Sequence, residues 1–107
     1  MNHVERIFVK AGSPPIIEID PTCACAYIRF KSGSKVAKTK TVTAKQLPVV
    51  CTIDFDASNQ VIGVEMINVL EFSISWIMKH LPTQAPRVNF SRARFIPASC
   101  AHDLVGA

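Results

Sequence analysis

Residues 49–68 have the sequence VVCTIDFDASNQVIGVEMIN, and this stretch decides the fold. From Val49 to Asp56 apolar side chains alternate with polar ones, which is the period of a β-strand with one buried face. The polar turn that follows contains Asn59, a residue that tolerates a positive φ. Val61 to Asn68 then resumes the alternation and turns three apolar residues inward: Ile62, Val64 and Met66. The stretch therefore predicts a β-hairpin with one buried face.

Further β-segments precede this hairpin. Ile16 to Asp20 and Ala24 to Phe30 are short apolar runs on either side of a turn sequence, Asp20-Pro21-Thr22, and they predict a second hairpin. Val36 to Val42 alternates lysines with small residues, as an edge strand does. The alternation predicts one polar sheet face with these residues: Glu18, Tyr27, Arg29, Thr52, Asp54 and Glu65.

The segment after the hairpins predicts a helix over about 73–81. Its apolar residues match a helical stripe, Ser73 is suited to cap its start, and Pro82 ends it. The competing prediction is a strand, because Leu70 to Met78 also alternates. The cap and the proline favour the helix. Beyond the helix, the sequence predicts either two short strands, at Val88 to Phe90 and Ala93 to Ile96, or one irregular returning segment.

Composition and length limit the class of protein. The chain has 107 residues, of which 49% are apolar and 19% charged, and this predicts one folded domain over residues 1–107. The high apolar content of so small a domain predicts a homo-oligomer, with a dimer as the first choice. The first ten residues contain Glu5 and Arg6 instead of an apolar signal, and no apolar run is long enough to cross a bilayer. We therefore expect a cytoplasmic protein with reduced cysteines and no membrane association.

Three short blocks follow one another along the chain: Asp20-Pro21 through Ala26-Tyr27-Ile28-Arg29, then Asp54-Phe55-Asp56, then Val61-Ile62-Gly63-Val64-Glu65. In order and spacing they resemble a bacterial family known only as the domain of unknown function numbered twenty-two eighty-three. The chain departs from the family pattern at Thr22 and Ala24, where carboxylates are usual, and at Cys23 and Cys25, where alanines are usual. The resemblance covers about residues 16–68 and implies a small curled antiparallel sheet with a helix behind it. It implies no chemistry.

The predicted fold class is therefore α+β: a curled antiparallel β-sheet of about five or six strands packed against one or two helices. The family-like sheet core covers about residues 16–68, and residues 82–107 form a C-terminal extension.

The cysteines raise the question of a metal site. Cys23-x-Cys25 and Cys100-x-His102 together offer a Cys3His ligand set for zinc. Paired cysteines in structural zinc sites are usually separated by two to four residues, however, so we predict no metal site and no cofactor. Cys51 alternates with core residues and is expected to be inert.

The polar sheet face offers a candidate site. Tyr27, Arg29, Asp54 and Glu65 are the candidate ligand-binding residues. If Asp54 and Glu65 lie close together on neighbouring strands, one hypothesis is a small enzyme that uses them as an acid and base pair. The competing interpretation, which we favour, is a solvated face on which Arg29 and lysines neutralise the carboxylates.

Basic residues suggest a different function. One hypothesis is that five of them form a phosphate-binding surface: Lys35, Lys38, Lys40, Arg92 and Arg94. No nucleic-acid-binding motif accompanies them, and lysines on an edge strand have a structural reason. By elimination, the sequence favours a non-enzymatic accessory or interaction module that binds a partner protein or small ligand. A nucleic-acid-associated regulator and a small enzyme are the alternatives.

Overall fold

A computed structural model of the chain describes residues 7–9, 14–43, 49–84 and 89–97. The β-strands are Ile7–Phe8 (β1), Ile16–Asp20 (β2), Cys25–Arg29 (β3), Lys38–Thr43 (β4), Val50–Phe55 (β5), Val61–Ile67 (β6), Thr83–Gln84 (β7) and Arg94–Pro97 (β8). One α-helix, Ile74–His80 (α1), follows β6, and a three-residue 3-10 helix, Phe90–Arg92, precedes β8.

Six strands form the main sheet in the order β4-β5-β6-β3-β2-β8. Both predicted hairpins are confirmed, since β2 pairs with β3 and β5 with β6, each antiparallel. The predicted antiparallel sheet is confirmed for β2 to β6, but β8 returns beside β2 and runs parallel to it, so the sheet as a whole is mixed. The prediction of a curled sheet is wrong, because the sheet is not curled. Its strands form one open row, and β8 extends this row at the end opposite β4 instead of closing it.

The two faces of the sheet differ as the alternation predicts. Ile53, Ile62, Val64 and Met66 are all buried, whereas Asp54 is half-buried and Glu65 exposed. A register shift lies between Asp54 and Phe55, so that Asp54 pairs with Gly63 but Phe55 pairs with Val61. This β-bulge places Val61 as well as Val64 in the core cluster.

The core lies on one side of the sheet, under α1 and the 3-10 helix. Ile17, Ile28, Ile53 and Met66 from four adjacent strands are fully buried and pack with Ile77 of the helix. Phe90 closes the same cluster, and its ring meets that of Phe30 edge to face at 6.0 Å between centroids. Cys51 is buried among these residues, as predicted.

The helix begins where the sequence predicts. Ser73 has extended backbone angles, and its Oγ accepts a hydrogen bond of 3.2 Å from the backbone N–H of Trp76. Lys79 and His80 lie in the last turn, where positive charge faces the negative end of the helix dipole. No helix in the ranges that the structure describes has the length and apolar character needed to cross a bilayer.

Asp56 organises the β5–β6 turn. Its Oδ1 accepts hydrogen bonds of 2.9 Å from the backbone N–H groups of both Ser58 and Gln60, and Lys31 Nζ lies 3.4 Å from its Oδ2. These contacts, led by the Gln60 N–H, lower the pKa of Asp56. Asn59 has a φ of 64°, so its predicted left-handed conformation is confirmed.

Candidate functional site

Tyr27 crosses the polar sheet face from β3 to β5. It pairs with Glu65 of β6, whereas Gly63, two residues earlier on β6, pairs with Asp54 of β5. The Tyr27 ring lies over Gly63 so closely that a Cβ at that glycine would be 2.0 Å from the phenolic oxygen. Because Gly63 has no side chain, the ring passes over β6 and Tyr27 Oη donates a hydrogen bond of 2.9 Å to Asp54 Oδ2.

This contact belongs to a chain of interactions that spans five strands. On the β4 side, Thr39 Oγ1 donates a hydrogen bond of 2.9 Å to Asp54 Oδ1. On the β2 side, the Arg29 guanidinium lies 4.9 Å from the Tyr27 ring centroid and donates to Glu18 Oε2 through Nε and Nη2, at 2.9 and 2.7 Å. The resulting polar relay consists of Glu18, Arg29, Tyr27, Asp54 and Thr39.

The relay limits the chemistry of its members. Both carboxylate oxygens of Asp54 accept hydrogen bonds, so neither is directed at solvent as an unengaged base. Burial, together with the hydrogen bond to Asp54 and its negative charge, raises the pKa of Tyr27 above the ordinary value of a phenol. Tyr27 therefore stays protonated and acts as a hydrogen-bond donor at neutral pH.

Glu65 lies beside the relay without joining it. It is exposed, it sits between Tyr27 and Thr52 in register, and its side chain forms no hydrogen bond or ion pair with the residues that the structure describes. Asp54 and Glu65 are thus on neighbouring strands, as predicted, but in diagonal positions, which are about 7 Å apart in antiparallel sheets. The structure brings the two carboxylates onto one face and engages only Asp54.

The structure does not bring the predicted basic residues together. Lys38 and Lys40 lie on β4, whereas Arg92 and Arg94 lie at or next to β8, at the opposite edge. Five strand spacings of about 4.8 Å separate these edges by about 24 Å. Lys38 also shares a face with the apolar core residues, and its Nζ lies 4.9 Å from the Phe55 ring centroid. Lys35 is exposed before β4.

The described cysteines are free thiols with raised pKa values. A hydrogen bond to Asp20 raises the pKa of Cys23 to about 11, with smaller effects from desolvation and from the Asp20 charge, and burial raises the pKa of Cys51 to about 11. Partial burial raises the pKa of Cys25. Cys100 and His102, the other members of the zinc set considered above, lie outside the described residues.

The chain matches no protein-family model, and no curated protein or solved structure is significantly similar to it. The resemblance to the domain of unknown function therefore stays a prediction that rests on three short blocks. In the fold, each of these blocks contributes one residue to the same contact: Tyr27, Asp54 and Gly63.

The sequence pattern does not identify two residues of this arrangement. Thr39 is one of the small residues that alternate with lysines on the edge strand and joins the relay through its hydroxyl. Gly63 lies outside the relay but makes room for the Tyr27 ring. The role of Gly63 can be predicted only from strand register. A glycine that lies between a tyrosine on one flanking strand and an aspartate on the other leaves room for the aromatic ring to cross the strand. That prediction requires the pairing of β3, β6 and β5, which sequence alone does not supply.

Proposed function

We propose that this protein is a non-enzymatic interaction module, acting as a homo-oligomer, that binds a partner protein with a basic surface through the polar face of its main sheet. The observation that carries the proposal is the polar relay. It holds polar side chains of four strands, among them the charged Glu18, Arg29 and Asp54, in fixed positions on a face opposite the core. A surface whose side chains are already ordered loses less conformational entropy on binding.

The charge of this face supports a basic partner. In register, the face carries four carboxylates (Glu18, Asp20, Asp54 and Glu65) and two cationic side chains (Arg29 and Arg94). The chain as a whole has a formal charge of +4, so the face opposes the overall charge of the protein. Complementary charge steers association and selects partners more than it strengthens the final complex.

The same contacts favour binding over catalysis. Both oxygens of Asp54 are engaged, and the pKa values of Tyr27, Cys23 and Cys51 are raised, so these groups are poor bases or nucleophiles at neutral pH. Glu65 remains as an exposed charge at the centre of the face. This placement suits a contact with a lysine or arginine of a partner.

The test uses a labelled octalysine peptide as the probe. Backbone amide resonances of the protein are followed by NMR as the peptide is added, and affinity is measured by fluorescence anisotropy at low and at physiological salt. We expect the shifted resonances to cluster around Tyr27, Thr52 and Glu65. We expect Glu65→Lys to weaken binding by about fivefold, which corresponds to one exposed ion pair, and octaglutamate not to bind there.

Glu71→Lys is the matched control, because Glu71 is also an exposed carboxylate but lies outside the sheet, before α1. It should leave the affinity unchanged. Equal loss of affinity in both variants, or resonance shifts confined to β4, would refute the sheet face as the binding surface.

A salt-sensitive complex with random DNA or RNA that Lys38→Glu and Lys40→Glu abolish would instead support the nucleic-acid alternative. Light scattering tests the homo-oligomer, and a monomer at all concentrations would remove that part of the proposal.

A further inference from the structure

An apolar row lies on the polar face of the main sheet. Val50 of β5 pairs with Ile67 of β6, and Ile67 pairs in turn with Cys25 of β3. Residues that pair directly across strands point to the same side of a sheet, so these three side chains form one line, the apolar row. All three are half-buried, although they lie on the side of the sheet opposite the core. The face that we propose as a binding surface is therefore apolar as well as charged.

Two carboxylates lie beside the apolar row. Glu65 is two residues before Ile67 on β6 and therefore points to the same face, about 6.6 Å along the strand. Glu18 of β2 lies in one line with Glu65, because Tyr27 pairs with both. The two cationic side chains of the face lie in a third line, on the side of the carboxylates away from the apolar row: Arg29 and Arg94. The apolar row is thus bordered by negative charge.

The order of these lines selects an amphipathic partner. A segment that covers the apolar row must be apolar there, because burial of apolar surface drives association only when both sides leave water. The same segment needs lysine or arginine at its flank, where it meets the line of Glu65 and Glu18. Glu65 is the more accessible of the two carboxylates, since Arg29 already donates to Glu18. An octalysine chain meets only the second requirement.

A helix suits this face better than an extended segment. The backbone N–H and C=O groups of a strand point within the sheet towards neighbouring strands, so a sheet face offers a partner only side chains. An extended segment would leave its own backbone groups without partners wherever the contact excludes water, whereas a helix bonds them internally. Two helical turns, about 11 Å, match the distance of about 10 Å from β5 to β3 along the apolar row. The long stems of lysines on the flank can reach the carboxylates beside it.

We propose that the partner binds this face through an amphipathic α-helix, with its apolar stripe on the apolar row and its lysine or arginine residues facing Glu65 and Glu18. The proposal rests on the function proposed above and deepens it, because it names the segment of the basic partner that makes the contact.

Two peptides of about 18 residues, or about five helical turns, test the proposal. Both contain leucine and lysine in the same numbers, but only one places its leucines in a single helical stripe. Affinities are measured by fluorescence anisotropy at physiological salt, and methyl resonances of Val50 and Ile67 are followed by NMR. We expect the amphipathic peptide to bind about tenfold more tightly, as burial of about two methylene groups would give. It should become helical in difference circular dichroism, and it alone should shift the two methyl resonances.

A double variant removes the apolar row. Val50→Thr with Ile67→Thr keeps the β-branched shape that suits a strand, and the two peptides should then bind with equal affinity. Val36→Thr is the matched control, because Val36 is 53% exposed but lies before β4, outside the sheet. It should retain the tenfold preference. The methyl shifts of the wild type give the same answer without any variant.

The outcomes separate this proposal from the function on which it rests. If the wild type binds octalysine but does not distinguish the two peptides, the helix is wrong and the basic partner stands. If it binds neither octalysine nor either peptide, both proposals are wrong. Methyl shifts of Val50 and Ile67 that appear when the protein alone is concentrated would assign the apolar row to a second copy of the chain and would also overturn the helix.

Discussion

Replacing Gly63 with alanine tests the contact on which the polar relay depends. The new Cβ would lie 2.0 Å from Tyr27 Oη and 2.4 Å from Cζ, distances that no real structure tolerates. The φ of Gly63 is not in the left-handed region, so alanine fits the backbone itself. The Tyr27 ring must therefore swing away from β6 and give up its hydrogen bond to Asp54.

The free-energy change follows from the contacts that are lost. A hydrogen bond to a half-buried carboxylate contributes about 1.5 kcal/mol, and the exposed contact between Arg29 and the Tyr27 ring about 0.5 kcal/mol. Alanine in place of glycine also stabilises a strand by about 0.5–1 kcal/mol, because the unfolded chain with alanine is less flexible than the one with glycine. Gly63→Ala should therefore destabilise the protein by about 1–1.5 kcal/mol, which lowers the melting temperature by about 5 °C.

The decisive measurement is a double-mutant cycle with Tyr27→Ala. Without the ring there is nothing for the new Cβ to meet, so Gly63→Ala should now stabilise the protein by about 0.5–1 kcal/mol. The coupling energy between the two positions is then about 2 kcal/mol. Urea unfolding can be followed by the fluorescence of Trp76, the single tryptophan of the chain. If Gly63→Ala has the same cost in both backgrounds, the close approach of the ring does not explain the glycine.

Three further changes have defined outcomes. Ala24→Gly should raise stability to urea by about 0.5 kcal/mol, since it relieves about 1 kcal/mol of left-handed strain at φ 55° and costs about 0.5 kcal/mol of chain entropy; a loss of stability would contradict this. Ser73→Ala should lower stability by about 1 kcal/mol in thermal unfolding, because the Trp76 N–H loses its cap, whereas Ser73→Thr should retain most of it. The pKa of Asp56 is lowered in the folded protein, mainly by the hydrogen bond from the Gln60 N–H. The stability that ionised Asp56 contributes is therefore fully present above its unfolded pKa, about 3.9, and is lost as pH falls through its folded pKa. Asp56→Asn should therefore flatten the decline of stability below about pH 4, and an unchanged acid limb would show that other carboxylates cause the decline.

Short-range signals predicted those parts of the fold that neighbouring residues determine. The alternation from Val49 to Met66 gave the buried and polar faces, Asn59 marked a turn with positive φ, and Ser73 marked the start of the helix. In each case the physical cause acts over four residues or fewer. The polar face could be assembled from the same alternation, because side chains of adjacent strands that point the same way must share a face.

Features that depend on distant pairing were not predictable in this way. The direction of β8 is set by the path of the chain around the core, and its four residues carry no mark that distinguishes parallel from antiparallel pairing. The two-residue strands β1 and β7 are too short for any periodicity. The position of Lys38 over Phe55 and the passage of Tyr27 over Gly63 both depend on register across strands.

The parallel strand β8 also has a consequence for synthesis of the chain on the ribosome. Ile16 pairs with Arg94, so β8, which covers the edge of β2 that does not pair with β3, is made long after β2 to β6. The nascent protein therefore exposes this edge of β2 until β8 has been made, and closing so long a loop is slow. During that interval a β8 segment from a neighbouring copy competes for the same edge, which makes strand exchange between copies the expected error of assembly at high concentration.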